Sequence, residues 1–170
     1  MSTTTSPGYG QPAVIGGVVI GVLSALPIIS AGNFCCCLWI VGGGVIAAYL
    51  LQQNQPGPIN AGDGAIVGLL AGLIGAVVHT ALAIPITMFL GPFERAMTAR
   101  LLELSPNVPP NLRDMIDRTP SAGVQVVARA AALVFWLFID GIFAMLGGLL
   151  GTALFKKPAL SATIDAAPPA

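Results

Sequence analysis

The segment GAIVGLLAGLIGAVVHT, residues 64–80, is the most informative about the fold, because small residues recur in it at helical spacing. Steps of four, four, three and four residues place five of them on one helix face: Gly64, Gly68, Gly72, Gly75 and His79. A glycine face lets the backbones of two helices touch, which favours helix association in lipid. The pattern therefore predicts a membrane helix that packs closely on another helix.

The last apolar segment carries a matching pattern, in which Asp140, Ala144, Gly147 and Gly151 follow at steps of four, three and four. If the two segments pack antiparallel, one register makes the numbers of facing residues sum to 219 throughout. This register pairs Gly75 with Ala144, Gly72 with Gly147, Gly68 with Gly151, and His79 with Asp140. We therefore predict an intramembrane polar pair of His79 and Asp140 between two closely packed helices.

The composition is that of a membrane protein. Hydrophobic residues make up 55% of the 170 residues and charged residues 8%, with a mean hydropathy of +0.87, whereas soluble domains carry about 25% charged residues. Seven basic and seven acidic residues give zero formal net charge. A nucleic-acid-binding surface, which needs clustered basic residues, is therefore excluded.

The apolar runs predict an all-α, integral membrane four-helix bundle made of two helical hairpins, with spans at about 13–29, 34–51, 64–90 and 130–155. Residues 13–157 form this single domain, between a disordered tail at 1–12 and a flexible tail at 158–170. In the first hairpin we expect Gly17 to lie level with Ala47 and Gly21 with Gly43. Asp63 is expected to cap the third helix.

The segment 93–118 predicts a short amphipathic helix in the membrane interface, between the third and fourth spans. Gly91 and Pro92 are expected to end the third span, and Pro85 to bend it. The apolar face after this break consists of Phe93, Met97, Leu101 and Leu104. The alternative is that this segment only closes the end of the bundle.

Three consecutive cysteines, Cys35, Cys36 and Cys37, precede the second span. Adjacent cysteines cannot build a loop-closing disulfide framework, and the single histidine lies on another segment, which argues against a metal site. We interpret the cysteines as small packing residues, with palmitoylation as an alternative. No metal and no cofactor are expected.

Three elements carry a resemblance to a known family: SALPIISAGNFCCCLWIVGGGVIAAYLLQ, then GDGAIVGLLAGLIGA, then GGLLGTALF near the end of the sequence. They resemble a family of small bacterial membrane proteins of unknown function, over roughly residues 13–90 and 140–157. The resemblance implies a bacterial inner-membrane location and four spans. It implies no activity and no functional residue.

The distribution of basic residues predicts the orientation. The connector between the third and fourth spans and its flanks hold five arginines, whereas the opposite side holds Lys156 and Lys157. Since positive residues favour the cytoplasmic side, both termini are expected outside.

These patterns favour a structural or accessory subunit of a membrane assembly, without catalytic activity of its own. Small packing residues far outnumber residues that could do chemistry. The expected partners are the lipid bilayer and other membrane subunits or a second copy. The alternative is a small transporter, channel or proton-relay protein that uses His79 and Asp140. A hydrolase would need Ser24 or Thr80 as a nucleophile near His79, and haem or pigment ligation by His79 is a further alternative.

Overall fold

The computed structural model describes residues 8–26, 29–34, 37–104, 109 and 122–157. Within these residues the chain forms four α-helices and one short 3₁₀ helix. The α-helices are α1 (Gly10–Ala25), α2 (Leu38–Asn54), α3 (Ala61–Leu104) and α4 (Ala122–Leu154), and the 3₁₀ helix (Ile29–Phe34) lies between α1 and α2. The prediction of an all-α packed helical bundle is confirmed.

The helices α1 and α2 are short and form a hairpin. With 16 and 17 residues they are about 24 and 26 Å long, because an α-helix rises about 1.5 Å per residue. Their bounds differ from the predicted spans, since α1 begins at Gly10 and α2 only at Leu38. The predicted disordered tail is wrong at its end, where residues 10–12 are helical. Residues 1–7, Pro27, Cys35 and Cys36 lie outside the described residues.

A capping box opens α3. The Asp63 backbone N–H donates to Asn60 Oδ1 at 2.9 Å, and the Asn60 N–H donates to Asp63 Oδ2 at 3.1 Å. This reciprocal pair satisfies two N–H groups that have no partner within the helix. Asn60 is therefore the capping residue, and the prediction that Asp63 holds that position is wrong by three residues.

The helix α3 runs without interruption for 44 residues, about 66 Å, with Pro85 and Pro92 inside it. The prediction of a separate interfacial helix beginning near Phe93 is therefore wrong for residues 93–104, which continue α3. Each proline removes one N–H from the helix ladder, and a long membrane helix can tolerate that loss. The remainder of the predicted interfacial segment, apart from Pro109, lies outside the described residues.

Contacts between glycines and neighbouring helices fix the topology. Gly17 meets Ile74 and Gly21 meets Val78, so α1 and α3 run parallel. The helices α3 and α4 run antiparallel, and α2 packs on α1, α3 and α4, whereas α1 and α4 do not touch within the described residues. Two antiparallel hairpins, α1 with α2 and α3 with α4, thus lie side by side.

Inside the first hairpin the predicted positions along the helix axes are nearly right, but different faces of α1 and α2 meet. Gly16, not Gly17, meets Gly43 and Ala47 on α2. Gly17 and Gly21 instead face α3, and Gly43 packs on Gly16 and Ile20. The predicted pairing of Gly17 with Ala47 and of Gly21 with Gly43 is therefore wrong, because one residue step turns the helix face by about 100°.

Between α3 and α4 the predicted partner is right and the register is wrong. Gly72 packs on the backbone of Asp140, Gly68 on that of Ala144, and Gly64 on that of Gly148. These numbers sum to 212, not 219, so α4 is displaced by seven residues, about 10 Å along the axis.

Three small residues that were assigned to this seam pack elsewhere. Gly75 meets Ile20 of α1, Gly147 meets Val41 of α2, and Gly151 meets Val45 and Ala48 of α2. Ala144 lies between two helices, with Gly68 of α3 on one side and Gly44 of α2 on the other. The small residues therefore serve four helix interfaces and not one.

Three long-range hydrogen bonds connect the elements at one end of the bundle. The Tyr9 hydroxyl donates to Asp63 Oδ1 at 2.7 Å, which joins the start of α1 to the start of α3. Lys157 Nζ donates to the carbonyl oxygens of Gln52 and Gln55, at 2.7 and 3.0 Å, which joins the end of α4 to the end of α2. The start of α1 and the end of α4 thus lie at the same end of the bundle.

Two helical stretches are long and apolar enough to cross a membrane, Ala61–Phe93 and Gly123–Leu154. Helix α1 is apolar but shorter. Both long helices extend beyond the α1–α2 hairpin, and large apolar side chains there are exposed, among them Met88 at 76% and Phe89 at 85%. The chain is an integral membrane protein.

Candidate functional site around His79 and Asp140

His79 packs against an aromatic residue of α4. Its imidazole meets the edge of Trp136, with ring centroids 5.2 Å apart and planes inclined by 75°. Trp136 in turn contacts Phe135 in a similar geometry, at 5.7 Å. The buried Nδ1 atom of His79 has no hydrogen-bond partner among the described residues.

His79 and Asp140 do not form the predicted hydrogen-bonded pair. Neither carboxyl oxygen of Asp140 has a partner in the described part of the chain, and His79 Nδ1 has none. The prediction is wrong because of the register of α3 and α4, in which Gly72 and not His79 lies at the level of Asp140.

Asp140 is the most deeply buried ionisable side chain in the described ranges, with 1% of its surface exposed. It lies where Gly72 packs directly on the α4 backbone. A carboxyl group at this depth without a partner costs free energy, and intramembrane ionisable residues are functional candidates for that reason. Helix packing thus does not account for the buried carboxyl group of Asp140.

A half-open cavity of about 370 Å³ lies on one side of the His79–Trp136 pair, between the α1–α2 hairpin tip and helices α3 and α4. We call it the tip cavity. Its polar wall combines side chains of α1, the 3₁₀ helix and α3, and its apolar wall comes from α4. The lining residues are Ser24, Ser30, Asn33, Cys37, His79, Phe135, Trp136, Ile139 and Phe143.

Hydrogen bonds at the hairpin tip position the polar wall. Asn33 Nδ2 donates to Ser24 Oγ at 2.9 Å, and Asn33 Oδ1 accepts from the backbone N–H of Trp39 at 3.3 Å. The Trp39 indole N–H donates to the carbonyl of Ile29 at 2.6 Å. These bonds link α1, the 3₁₀ helix and α2, so the polar groups of the tip hold fixed positions.

A groove of about 340 Å³ lies against the same His79–Trp136 pair and contains Arg129, Thr80 and Thr87. The two threonine hydroxyls donate to carbonyls of their own helix, Ala76 and Ile84. A further groove of about 310 Å³ is lined only by apolar residues and glycine, including Leu69, Leu73 and Phe138. Lipid chains suit surfaces of this kind.

The arrangement limits the chemistry. No group of three or more metal-ligating side chains occurs among the described residues. Ser24 and His79 both line the tip cavity, but Ser24 Oγ accepts its hydrogen bond from Asn33. The Thr80 hydroxyl donates to the backbone carbonyl of Ala76. Neither hydroxyl therefore has the hydrogen bond to His79 that an activated nucleophile needs.

Asn33 and Trp136 were not predicted as site residues from the sequence. Asn33 could have been found, because it is an amide inside a conspicuously apolar hairpin. Trp136 could be placed only after the register was known. The other predicted surface, Phe93, Met97, Leu101 and Leu104, is 56 to 78% exposed and far along α3 from His79.

Comparison with known protein families places part of the chain in a described family. Residues 10–109 match the family model of the MJ1491 transmembrane domain, an uncharacterised membrane domain named after an archaeal protein. No curated protein and no solved structure matches the chain. The matched residues include α1, α2 and all of α3. Since they make up more than half of the sequence, the chain belongs to the MJ1491 transmembrane domain family.

Proposed function

We propose that the protein is a structural or accessory subunit of a membrane assembly. The observation that carries the proposal is a contrast between two parts of the molecule. Inside the bundle, small residues bring helix backbones into direct contact, as Gly68 does with Ala144. Beyond the hairpin, α3 and α4 continue with large apolar side chains that nothing in the described chain covers.

The exposed extension suits contact with another membrane protein or a second copy. On α3, its most exposed members include Phe89 and Phe93, which are 85% and 68% exposed. On α4, Val126 and Val127 are 68% and 70% exposed. Aromatic side chains on a rigid helix are typical anchors of protein interfaces.

Site-specific photocrosslinking tests this proposal. A photoreactive amino acid at Phe89 is expected to crosslink to one defined protein in the native membrane. The same group at Val14, a 49% exposed position on α1, serves as the matched control and should label lipid only. Purification in mild detergent should then recover the same complex. A monodisperse protein that comes out alone, with lipid adducts at both positions, contradicts the accessory role.

For the membrane arrangement we propose four spans in a bacterial inner membrane, with both termini outside. The support is the hairpin length of about 24 to 26 Å, close to the hydrocarbon thickness of about 30 Å, and the arginines at the far end. We further propose that Phe93, Met97, Leu101 and Leu104 lie at the membrane interface. A C-terminal reporter that is active only outside the cytoplasm tests the orientation, and an inactive reporter contradicts it.

A second function, transport or proton relay, is favoured by Asp140 alone. A carboxyl group that is 1% exposed and has no hydrogen-bond partner among the described residues has the character of a site that takes up a proton or a small cation. His79 would then act from the neighbouring cavity through water rather than by a direct bond.

Two measurements separate this alternative from a passive role. Dicyclohexylcarbodiimide, which modifies protonated carboxyl groups in lipid, should label Asp140 in the intact protein and not the Asp140→Asn variant. In proteoliposomes, proton flux should be lost in that variant. Equal flux in both proteins, at the level of empty liposomes, excludes the transport function.

A further inference from the structure

The tip cavity has a lining that selects for an uncharged ligand. None of the nine described residues that line it is Lys, Arg, Asp or Glu. A charged head group would lose its hydration there without gaining a counter-charge, which disfavours its binding. Arg129, the cation that could hold a phosphate, lines the other groove beside His79 and not this cavity. A phospholipid head group and a metal cation therefore fit poorly.

The polar wall offers hydrogen bonds that the protein itself does not use. Ser24 Oγ accepts from Asn33 Nδ2, so the Ser24 O–H and the second N–H of Asn33 have no acceptor among the described residues. Across the cavity, the imidazole of His79 forms part of the lining. A neutral imidazole supplies one donor and one acceptor, so these groups can bind ligand oxygens at two places.

The opposite wall of the tip cavity is aromatic, and one of its residues is exposed at the surface of the bundle. Phe135, Trp136 and Phe143 line the α4 side, and Phe135 is 58% exposed. Aromatic side chains stack on or meet the edge of a flat ring, and the exposed edge leaves a path for an apolar chain into lipid. A volume of about 370 Å³ lies in the range of pockets that hold small molecules.

We propose that the tip cavity binds an uncharged, ring-bearing amphiphile with carbonyl oxygens, the chemistry of a membrane quinone. Ser24 and Asn33 donate to one oxygen, His79 bonds the other, and the ring lies against Trp136. The proposal concerns binding only and does not depend on the accessory role, since a quinone can be held by a subunit of any assembly.

Quenching of tryptophan fluorescence by decylubiquinone, in the full chain reconstituted in nanodiscs, tests the proposal. Saturable quenching is expected, because Trp136 lines the cavity. Ser24→Ala removes one hydrogen bond and should weaken binding roughly tenfold. Thr87→Val is the matched control, since Thr87 lines only the other groove, and should bind like the wild type.

A second probe distinguishes the contribution of the carbonyl oxygens to binding from that of the ring. Decylbenzene keeps the ring and the chain but lacks both carbonyls, so it should compete at least tenfold more weakly. Should Ser24→Ala fold poorly, Ile139→Trp, which fills the cavity from α4, is expected to abolish saturable quenching. Linear quenching without saturation, equal binding by the Ser24 and Thr87 variants, or equal competition by decylbenzene overturns the proposal.

Discussion

Gly72 packs directly on the backbone carbonyl of Asp140, so that a methyl group on Gly72 would overlap with that oxygen. This contact sets the register of α3 and α4. In this register the buried carboxyl group of Asp140 lies away from His79. The imidazole instead contacts Trp136 and lines the tip cavity. One glycine contact thus determines which residues can form a site.

Gly72→Ala should lower the free energy of unfolding by about 1 to 3 kcal/mol, because the added methyl group forces the two backbones apart. Gly42→Ala is the matched control, since Gly42 has open space at its Cβ position and lies in α2. It should raise the free energy of unfolding by up to about 1 kcal/mol through helix propensity. Unfolding in sodium dodecyl sulfate, followed by circular dichroism, measures both. Equal effects of the two variants contradict the contact.

The register itself can be tested with cysteine pairs in a background that lacks Cys35, Cys36 and Cys37. A Cβ on Gly141 would lie 3.2 Å from Leu69 Cδ1, which makes the two residues neighbours across the interface. Leu69→Cys with Gly141→Cys should therefore form a disulfide on mild oxidation. Leu69→Cys with Leu150→Cys represents the register that sums to 219 and should stay reduced. A gel-shift or mass-spectrometric readout distinguishes them, and the reverse result rules out the observed register.

The Tyr9–Asp63 hydrogen bond should make stability depend on pH in the alkaline range. The bond to the Asp63 carboxylate, followed by burial and charge repulsion, raises the pKa of Tyr9 above its ordinary 10.0. The stabilising contribution is therefore complete below pH 10 and is lost as the pH rises through the higher pKa of the folded protein.

Tyr9→Phe lacks this contribution at every pH. The difference in unfolding midpoint between the wild type and Tyr9→Phe should be constant near neutral pH and should shrink above pH 10. A difference that grows with alkalinity would mean that the hydrogen bond does not hold the phenol in its neutral form.

Lys157→Met should lower the free energy of unfolding by about 1 kcal/mol, because Lys157 Nζ donates to two carbonyls at the end of α2. Lys156→Met is the control, since Lys156 has the same charge and an exposed side chain. Thermal unfolding in one detergent compares them. If both variants lose the same stability, the effect is one of net charge and not of helix capping.

Much of the fold was readable from composition and spacing. The apolar runs predicted the helices to within a few residues at most ends, and the glycine repeat predicted that α3 packs on α4. The continuity of α3 through Pro92 was missed, because a Gly-Pro pair normally ends a helix in water. In a membrane, a proline inside a helix is tolerated, because neighbouring groups satisfy the backbone carbonyl that it leaves without a partner.

The register could not be read from the sequence, for a geometric reason. Small residues recur every three or four positions, and a displacement of seven residues turns a helix by about 700°, only some 20° short of two full turns. The registers that sum to 219 and 212 therefore present nearly the same face of α4. A pairwise pattern cannot separate them, even though one joins His79 to Asp140 and the other does not.

Composition and glycine spacing are enough to specify an all-α membrane protein whose glycine faces bring helices into backbone contact. Which small residue meets which helix depends on how all four helices pack together. The hairpin of α1 and α2 takes Gly75, Gly147 and Gly151 for its own contacts, and α3 and α4 then pair through Gly64, Gly68 and Gly72. Packing four helices at once selects one register, because each helix face can be buried against only one neighbour.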